Sequence, residues 1–205
     1  MLKLGWSCGS AVLGLALLAV ARSSTSGPPV GWKSPDADPA FYEVRRDDRE
    51  PFEGRFSGLI RCAPCASESS ATVMQTIRAD RYRGQRVRLA GYLRSADVTL
   101  WAGFWMRVDA ATRQGVAFDN MNTRPVKGTT PWTRYEVVLD VPEDAVQVAF
   151  GILLAGEGQV WADNLSLTRV DSGVPSTDLG FAPDYVAVAV DDDVPKNPRN
   201  LGFEE

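Results

Sequence analysis

Tyr92, Trp105, Arg107 and Glu136 are side chains of the types that recognise a polyhydroxylated ligand, aromatic plates beside charged hydrogen-bonding groups. A sugar binds where an aromatic ring meets its C–H face and neighbouring polar groups bond its hydroxyls. Two alternating stretches carry these residues. In Arg86–Ser95, Val87, Leu89, Gly91 and Leu93 alternate with Arg86, Arg88, Tyr92 and Arg94. In Gly103–Ala110, Phe104, Met106 and Val108 alternate with Trp105, Arg107 and Asp109. A period of two marks a strand with one buried and one wet face. With the apolar set inward, Arg88, Tyr92, Arg94, Trp105, Arg107, Asp109, Arg134 and Glu136 share the other side. The competing account of the same residues is a covered face on which Arg and Glu ladder across strands. Asp119, Asn120, Arg124 and Trp132 flank a loop over 122–132, punctuated by Pro125, Gly128 and Pro131, and form a second candidate site. The alternative there is turn chemistry, with Asp and Asn bonding local backbone groups.

Several chemistries are excluded. The chain has no histidine, which removes Ser-His-Asp and Cys-His catalysis, His-ligated zinc and histidine pH switching. A glycosidase needs two carboxylates about 5–10 Å apart across a cleft. Asp109, Asp119 and Glu136 are available, but no spacing singles out a pair, so the reading is non-catalytic. Cys62-Ala-Pro-Cys65 has thioredoxin spacing, yet it follows a strand and no helix is there to stabilise a thiolate. Zinc needs two further N or S ligands. In an exported protein the pair predicts a local disulfide, Cys62–Cys65, contributing at most about 2 kcal/mol on the chain-entropy model.

The elements that position these residues follow from the rest of the chain. Lys3 precedes an unbroken small and apolar run, Ala11–Ala21, ending in Ala19-Val20-Ala21, the form of a cleavable signal peptide over 1–21, with an uncleaved membrane anchor as the alternative. Cleavage removes Lys3 and leaves 21 basic against 26 acidic residues, from 22 against 26 in the whole chain. A mildly acidic, secreted or periplasmic protein has no general attraction for nucleic acid or anionic lipid, and no membrane span remains after cleavage. Residues 22–38, rich in Ser, Pro and Gly, read as a flexible leader, and 39–205 as one domain. The charged run Arg45–Glu50 reads as a solvated loop. Strands are expected at 41–44, 55–62, 73–79, 86–95, 103–110, 116–121, 135–141, 146–154 and 159–170. About nine short strands between turn signals, with no sustained helical period, mean an all-β sandwich or barrel.

Met74-Gln75, Tyr82-Arg-Gly-Gln-Arg-Val-Arg-Leu, Trp105-Met-Arg-Val-Asp, Phe118-Asp-Asn-Met, Tyr135-Glu-Val-Val-Leu-Asp-Val-Pro and Gly158-Gln-Val-Trp together resemble a bacterial jelly-roll module. That module is similar in plan to galactose-binding-like domains and carbohydrate-binding modules. It occurs in exported proteins and is appended to AraC-type transcriptional regulators. The resemblance spans about Gly31 to Glu205 and implies a jelly-roll β-sandwich. It also implies a carbohydrate or cell-envelope glycan as ligand, with a protein partner as the alternative. The chain has no helix-turn-helix segment, so the regulator role does not carry over. Asn200-Leu-Gly-Phe-Glu-Glu resembles the opening strand of such modules, and Gly31-Trp32, which commonly follows it, sits near the start. A circularly permuted order accounts for both; the alternative is a C-terminal linker or a chance match over six residues. The resemblance further implies a structural calcium held by Asp163 and Glu204. Asp163, on the buried side of its strand by parity with Trp161, Leu165 and Leu167, can instead cap a bulge and bond nearby amides.

Overall fold

The computed structural model describes residues 27–62, 64, 69–180, 186, 188–190 and 192–205. The segment expected to be the signal peptide, and Cys65, lie outside them. Among the described residues no helix is long and apolar enough to cross a membrane.

Eight strands form one curled sheet: β1 (Tyr42–Asp47), β2 (Ser57–Cys62), β3 (Ser70–Arg78), β4 (Gln85–Ala110), β5 (Arg113–Asp119), β6 (Val126–Val141), β7 (Ala145–Ala155) and β8 (Gly158–Val170). The sheet runs β1-β2-β8-β4-β7-β3, with β5 and β6 also paired to β4. Strand β4 makes this a sandwich. Its first half, Arg86–Ala96, lies between β8 and β6. Its second half, Trp101–Ala110, lies against β7 and β5. One layer is therefore β1-β2-β8-β4-β6 and the other β3-β7-β4-β5.

The two stretches expected as separate strands are thus one, which accounts for eight strands where about nine were expected. The bend between them carries Asp97 in the left-handed region, φ 55°, and register shifts from Leu93 to Ala102. Ser95, buried there, bonds the Gly128 carbonyl and Thr130 hydroxyl through its Oγ. Three other boundaries moved. Pairing with β2 continues through Arg45–Asp47, so part of the expected charged loop is strand. The expected loop over 122–132 contracts to 120–125, because β6 starts at Val126. Pro131 is tolerated since it falls at a register shift on a strand paired only to β4. Trp32, inside the expected leader, is buried, and Lys33 bridges to Met74.

The core lies between the layers. Val87, Leu89 and Leu93 meet Phe104, Met106 and Val108 there, with Val137, Leu139, Phe150, Ile152 and Val160. Burying fifteen or so side chains of this size, at about 1.5–3 kcal/mol each, is the main force holding the layers together.

The C-terminal residues 200–205 close the molecule as turns, not as a strand. Phe203 is fully buried and stacks on Trp32 at 4.9 Å. The Trp32 indole N–H donates to the Asn200 carbonyl at 2.9 Å, and the Val30 N–H lies 3.4 Å from the Glu205 carbonyl. The two segments that the permuted order would join are therefore neighbours in space.

Cys62 is buried at the end of β2. The expected pairing with Cys65 is checked by intact mass after alkylation: the exported chain should carry no free thiol, and two alkylated cysteines would remove the disulfide.

Candidate functional site

Cross-strand register lays the outer face of the β1-β2-β8-β4-β6 layer out in rows. One row runs Asp47, Ser57, Asp163, Tyr92, Arg134, and the next runs Arg45, Leu59, Trp161, Arg94. The third runs Glu43, Arg61, Gln159, Ala96.

The first row is covered by residues 48–56, which three sets of contacts hold down. Asp163 accepts the Phe52 and Glu53 amides at 2.9 and 3.0 Å, and its other oxygen accepts the Asn164 amide at 2.7 Å. Glu204 accepts the Arg55 and Phe56 amides at 2.8 and 3.2 Å. Phe52 stacks on Tyr92 at 3.6 Å, with the planes 15° apart. Gly54, at φ +66°, fits because an added Cβ would lie 2.2 Å from Glu204 Oε1.

The second and third rows stay open as a cleft of about 590 Å³, walled by Asp48, Arg49 and Glu50. Trp161 forms its floor. The indole N–H donates to Asp47 Oδ2 at 2.7 Å, while Arg45 bonds Asp47 Oδ1 at 2.7 Å, so the buried carboxylate fixes both. The Arg94 guanidinium lies 4.3 Å above the Trp161 ring and 5.9 Å from that of Trp132. It is a planar donor laid on an aromatic plate, an arrangement that leaves its edge N–H groups facing the cleft. Trp132 is tied at its indole N–H to the Glu50 carbonyl at 3.1 Å. Two other cavities, about 680 Å³ over Gly84–Arg86 and Asp140–Glu143 and about 550 Å³ under 193–199, have no aromatic lining.

The expected site residues do not meet at one place. Because β4 crosses between layers, Tyr92 and Trp105 lie on the outer faces of opposite layers. Tyr92 is under Phe52, and Trp105 is 8% exposed. Arg107 holds Asp109 through two hydrogen bonds, at 2.9 and 3.1 Å, and Gly115 and Gln147 complete that carboxylate's partners. Glu136 pairs with Arg134 at 2.9 Å and lies 3.8 Å from Arg88, the cross-strand ladder. Asp119 is fully buried, grips Arg124 and accepts the Met121 amide at 2.8 Å. Asn120 caps Asn122 N–H at 3.2 Å, which is turn chemistry. None of the eight lines the cleft; Trp132 meets two residues that do, Glu50 and Arg94.

Arg94, already on the outward side by alternation, and Trp161, Arg45, Arg61, Gln159 and Glu50 were not singled out. The β8 parity misplaced Trp161. Asn164, at φ 48°, introduces a bulge, so Val160 and Ala162 face the core before it and Leu165 after it. An Asp-Asn pair inside a strand was the available signal, since Asn tolerates the left-handed region.

Asp163 and Glu204 are close enough for Glu204 to help raise the Asp163 carboxyl above its ordinary range, the larger cause being burial. Their bonded oxygens face amide N–H groups, the partners of an anion. Among the described residues no cluster of three Asp, Glu or Cys side chains is placed to hold a metal. Asp163 and Glu204 both cap backbone amides, the alternative expected for Asp163. Melting in calcium and in chelator tests the ion: with the caps alone the melting temperature is expected to be the same in both, and a fall of several degrees on chelation would show bound calcium.

No protein-family model matches the chain. It is 38% identical over 176 residues to the uncharacterised HTH-type transcriptional regulator YbfP of Bacillus subtilis, covering 85% of this chain and 57% of that one. The chain therefore spans little more than half of this curated relative. Among solved structures, a candidate sugar-binding protein of Bacteroides thetaiotaomicron superposes with TM-score 0.51 at 11% identity, over 68% of this chain and 87% of that one. The enzymatically active domain of bacteriophage CBA120 tailspike protein 4 gives 0.50 at 16% identity, over 69% and 20%. These likenesses show the fold, an all-β curled sheet of jelly-roll type.

Proposed function

We propose that this chain is an exported, non-catalytic carbohydrate-binding module whose ligand lies in the cleft above Trp161 and Arg94. The observation that carries this is the convergence of the Arg94 guanidinium, seated on the Trp161 indole, with the polar ends of Arg61 and Gln159 on rigid strands. Such a site offers charged and amide donors and acceptors for a sugar's hydroxyls, with an indole backing the guanidinium. The fold itself does not choose between binding and cutting, since one structural neighbour is a candidate sugar binder and the other an enzymatic domain. The carboxylates favour binding. Asp47 is held by Trp161 and Arg45, and Glu50 is held by Arg94, so neither is presented as an acid–base pair across the cleft. Asp163 and Glu204 support the cleft's covering loop.

Affinity electrophoresis on soluble polysaccharides, neutral and acidic, tests the reading. At least one should retard the protein reversibly. Migration unchanged by every polysaccharide, with no signal on a glycan array, would overturn it.

A further inference from the structure

Within the proposed site, the charges point to a particular class of sugar. Four arginines line the cleft, Arg45, Arg49, Arg61 and Arg94, against Asp47, Asp48 and Glu50. The chain as a whole runs the other way, with net charge −4.

The four arginines differ in how firmly they are held. Arg45 is committed to Asp47, which is 2% exposed. Arg61 meets Glu43 only at 3.8 Å, both side chains being 48% exposed. Arg49 is exposed and makes no hydrogen bond or ion pair among the described residues. Arg94 is partnered by Glu50, whose side chain is 81% exposed. An exposed pair of this kind is worth little and exchanges readily.

Glu50 is unusual in another respect. It is a non-glycine residue at φ 56°, in the left-handed region, where its carbonyl receives the Trp132 indole N–H. That conformation is uncommon for glutamate, and here it sets a carboxylate on the edge of a guanidinium stacked over an indole. The carboxylate occupies the position that an acidic ligand's own carboxylate would take.

We infer that the cleft selects polysaccharides bearing uronic acids, with Glu50 as an internal stand-in for the sugar carboxylate. This rests on the carbohydrate-binding reading of the same cleft. On binding, the uronate carboxylate replaces Glu50 on Arg94, Glu50 turns to solvent, and Arg49 and Arg61 meet the next acidic residue of the chain. A planar guanidinium suits this exchange because it receives a carboxylate through two parallel hydrogen bonds.

The test uses the intact exported protein with four probes: polygalacturonate, neutral galactan, neutral xylan and dextran sulfate. Polygalacturonate should bind at least fivefold more tightly than either neutral glycan. Glu50→Gln, which removes the competitor, should tighten polygalacturonate binding about threefold or more. Arg49→Gln combined with Arg61→Gln should weaken it to a similar degree. Equal affinity for neutral and acidic glycans overturns the uronate inference and leaves the carbohydrate reading standing. Dextran sulfate binding as tightly as polygalacturonate overturns it too, since that is ion exchange. Glu50→Gln that weakens polygalacturonate binding removes the stand-in role. Binding to none of the four, with no retardation by other polysaccharides, sinks the carbohydrate reading and the inference together.

Discussion

Arg94→Ala is expected to weaken glycan binding at least tenfold, equivalent to about 1.4 kcal/mol, while the melting temperature falls by no more than about 4 °C. The two numbers separate because Arg94 does different things in the free and bound protein. Free, its pair with Glu50 is exposed and worth about 0–1 kcal/mol, and its contact with the Trp161 ring adds roughly 0.5–1 kcal/mol. Losing about 1 kcal/mol shifts melting by about 2–4 °C in a domain of this size. Bound, the same guanidinium offers charged donors to ligand oxygens, hydrogen bonds worth roughly 1.5–3 kcal/mol each. Trp161→Ala is the less informative substitution, since Trp161 is 7% exposed and removing a buried aromatic side chain costs about 3–5 kcal/mol of stability. Trp161→Phe keeps a plate under Arg94 but leaves Asp47 without its indole donor. Calorimetric titration and melting of the same preparations check the prediction. Unchanged affinity in Arg94→Ala would move the ligand site elsewhere.

The sequence carried the strands because alternation is local. Val87, Leu89 and Leu93, and Phe104, Met106 and Val108, fall in the core as their period requires. It did not carry the site, because a face is a property of a layer and not of a strand. Tyr92 and Trp105 each stand on the outward side of their own stretch of one strand, and the bend around Asp97 places the two stretches in opposite layers. The charged run misled for a related reason. Asp47 is buried because β8 brings the Trp161 indole N–H to its carboxylate, a partner that Arg45–Glu50 does not show, while its other partner, Arg45, stands in the run itself. Trp161 was lost to a one-residue bulge, which inverts every assignment on one side of it. In contrast, Asn200–Glu205 and Gly31-Trp32, read together in the sequence, do meet in space, through the Trp32–Phe203 stack and the Trp32–Asn200 hydrogen bond.

That junction carries the other large effect. Phe203→Ala should destabilise the protein by about 3–5 kcal/mol, a large share of the 5–15 kcal/mol that typically separates folded from unfolded chains. Phe203 is fully buried and stacks on Trp32, which in turn meets Phe150 edge-on at 6.1 Å. The backbone around it is fastened to the sandwich: Leu165 N–H donates to the Leu201 carbonyl at 3.1 Å, and the Gln75 side chain bonds both the N–H and the carbonyl of Arg199. The ring also depends on a glycine. A Cβ at Gly58 would lie 2.6–2.9 Å from three atoms of the Phe203 ring. Gly58→Ala in the natural background therefore forces the ring off its seat on Trp32 and should also destabilise, by about 1–3 kcal/mol for an overpacked core. In the Phe203→Ala background the same methyl enters the space the ring has left. The double variant should consequently lose less than the sum of the two single variants, by at least about 1 kcal/mol, as residues in direct contact do. Chemical denaturation of the four proteins measures this. Additive losses would mean that Phe203 and Gly58 do not touch, and a Phe203→Ala variant as stable as the parent would mean that 200–205 does not close the core.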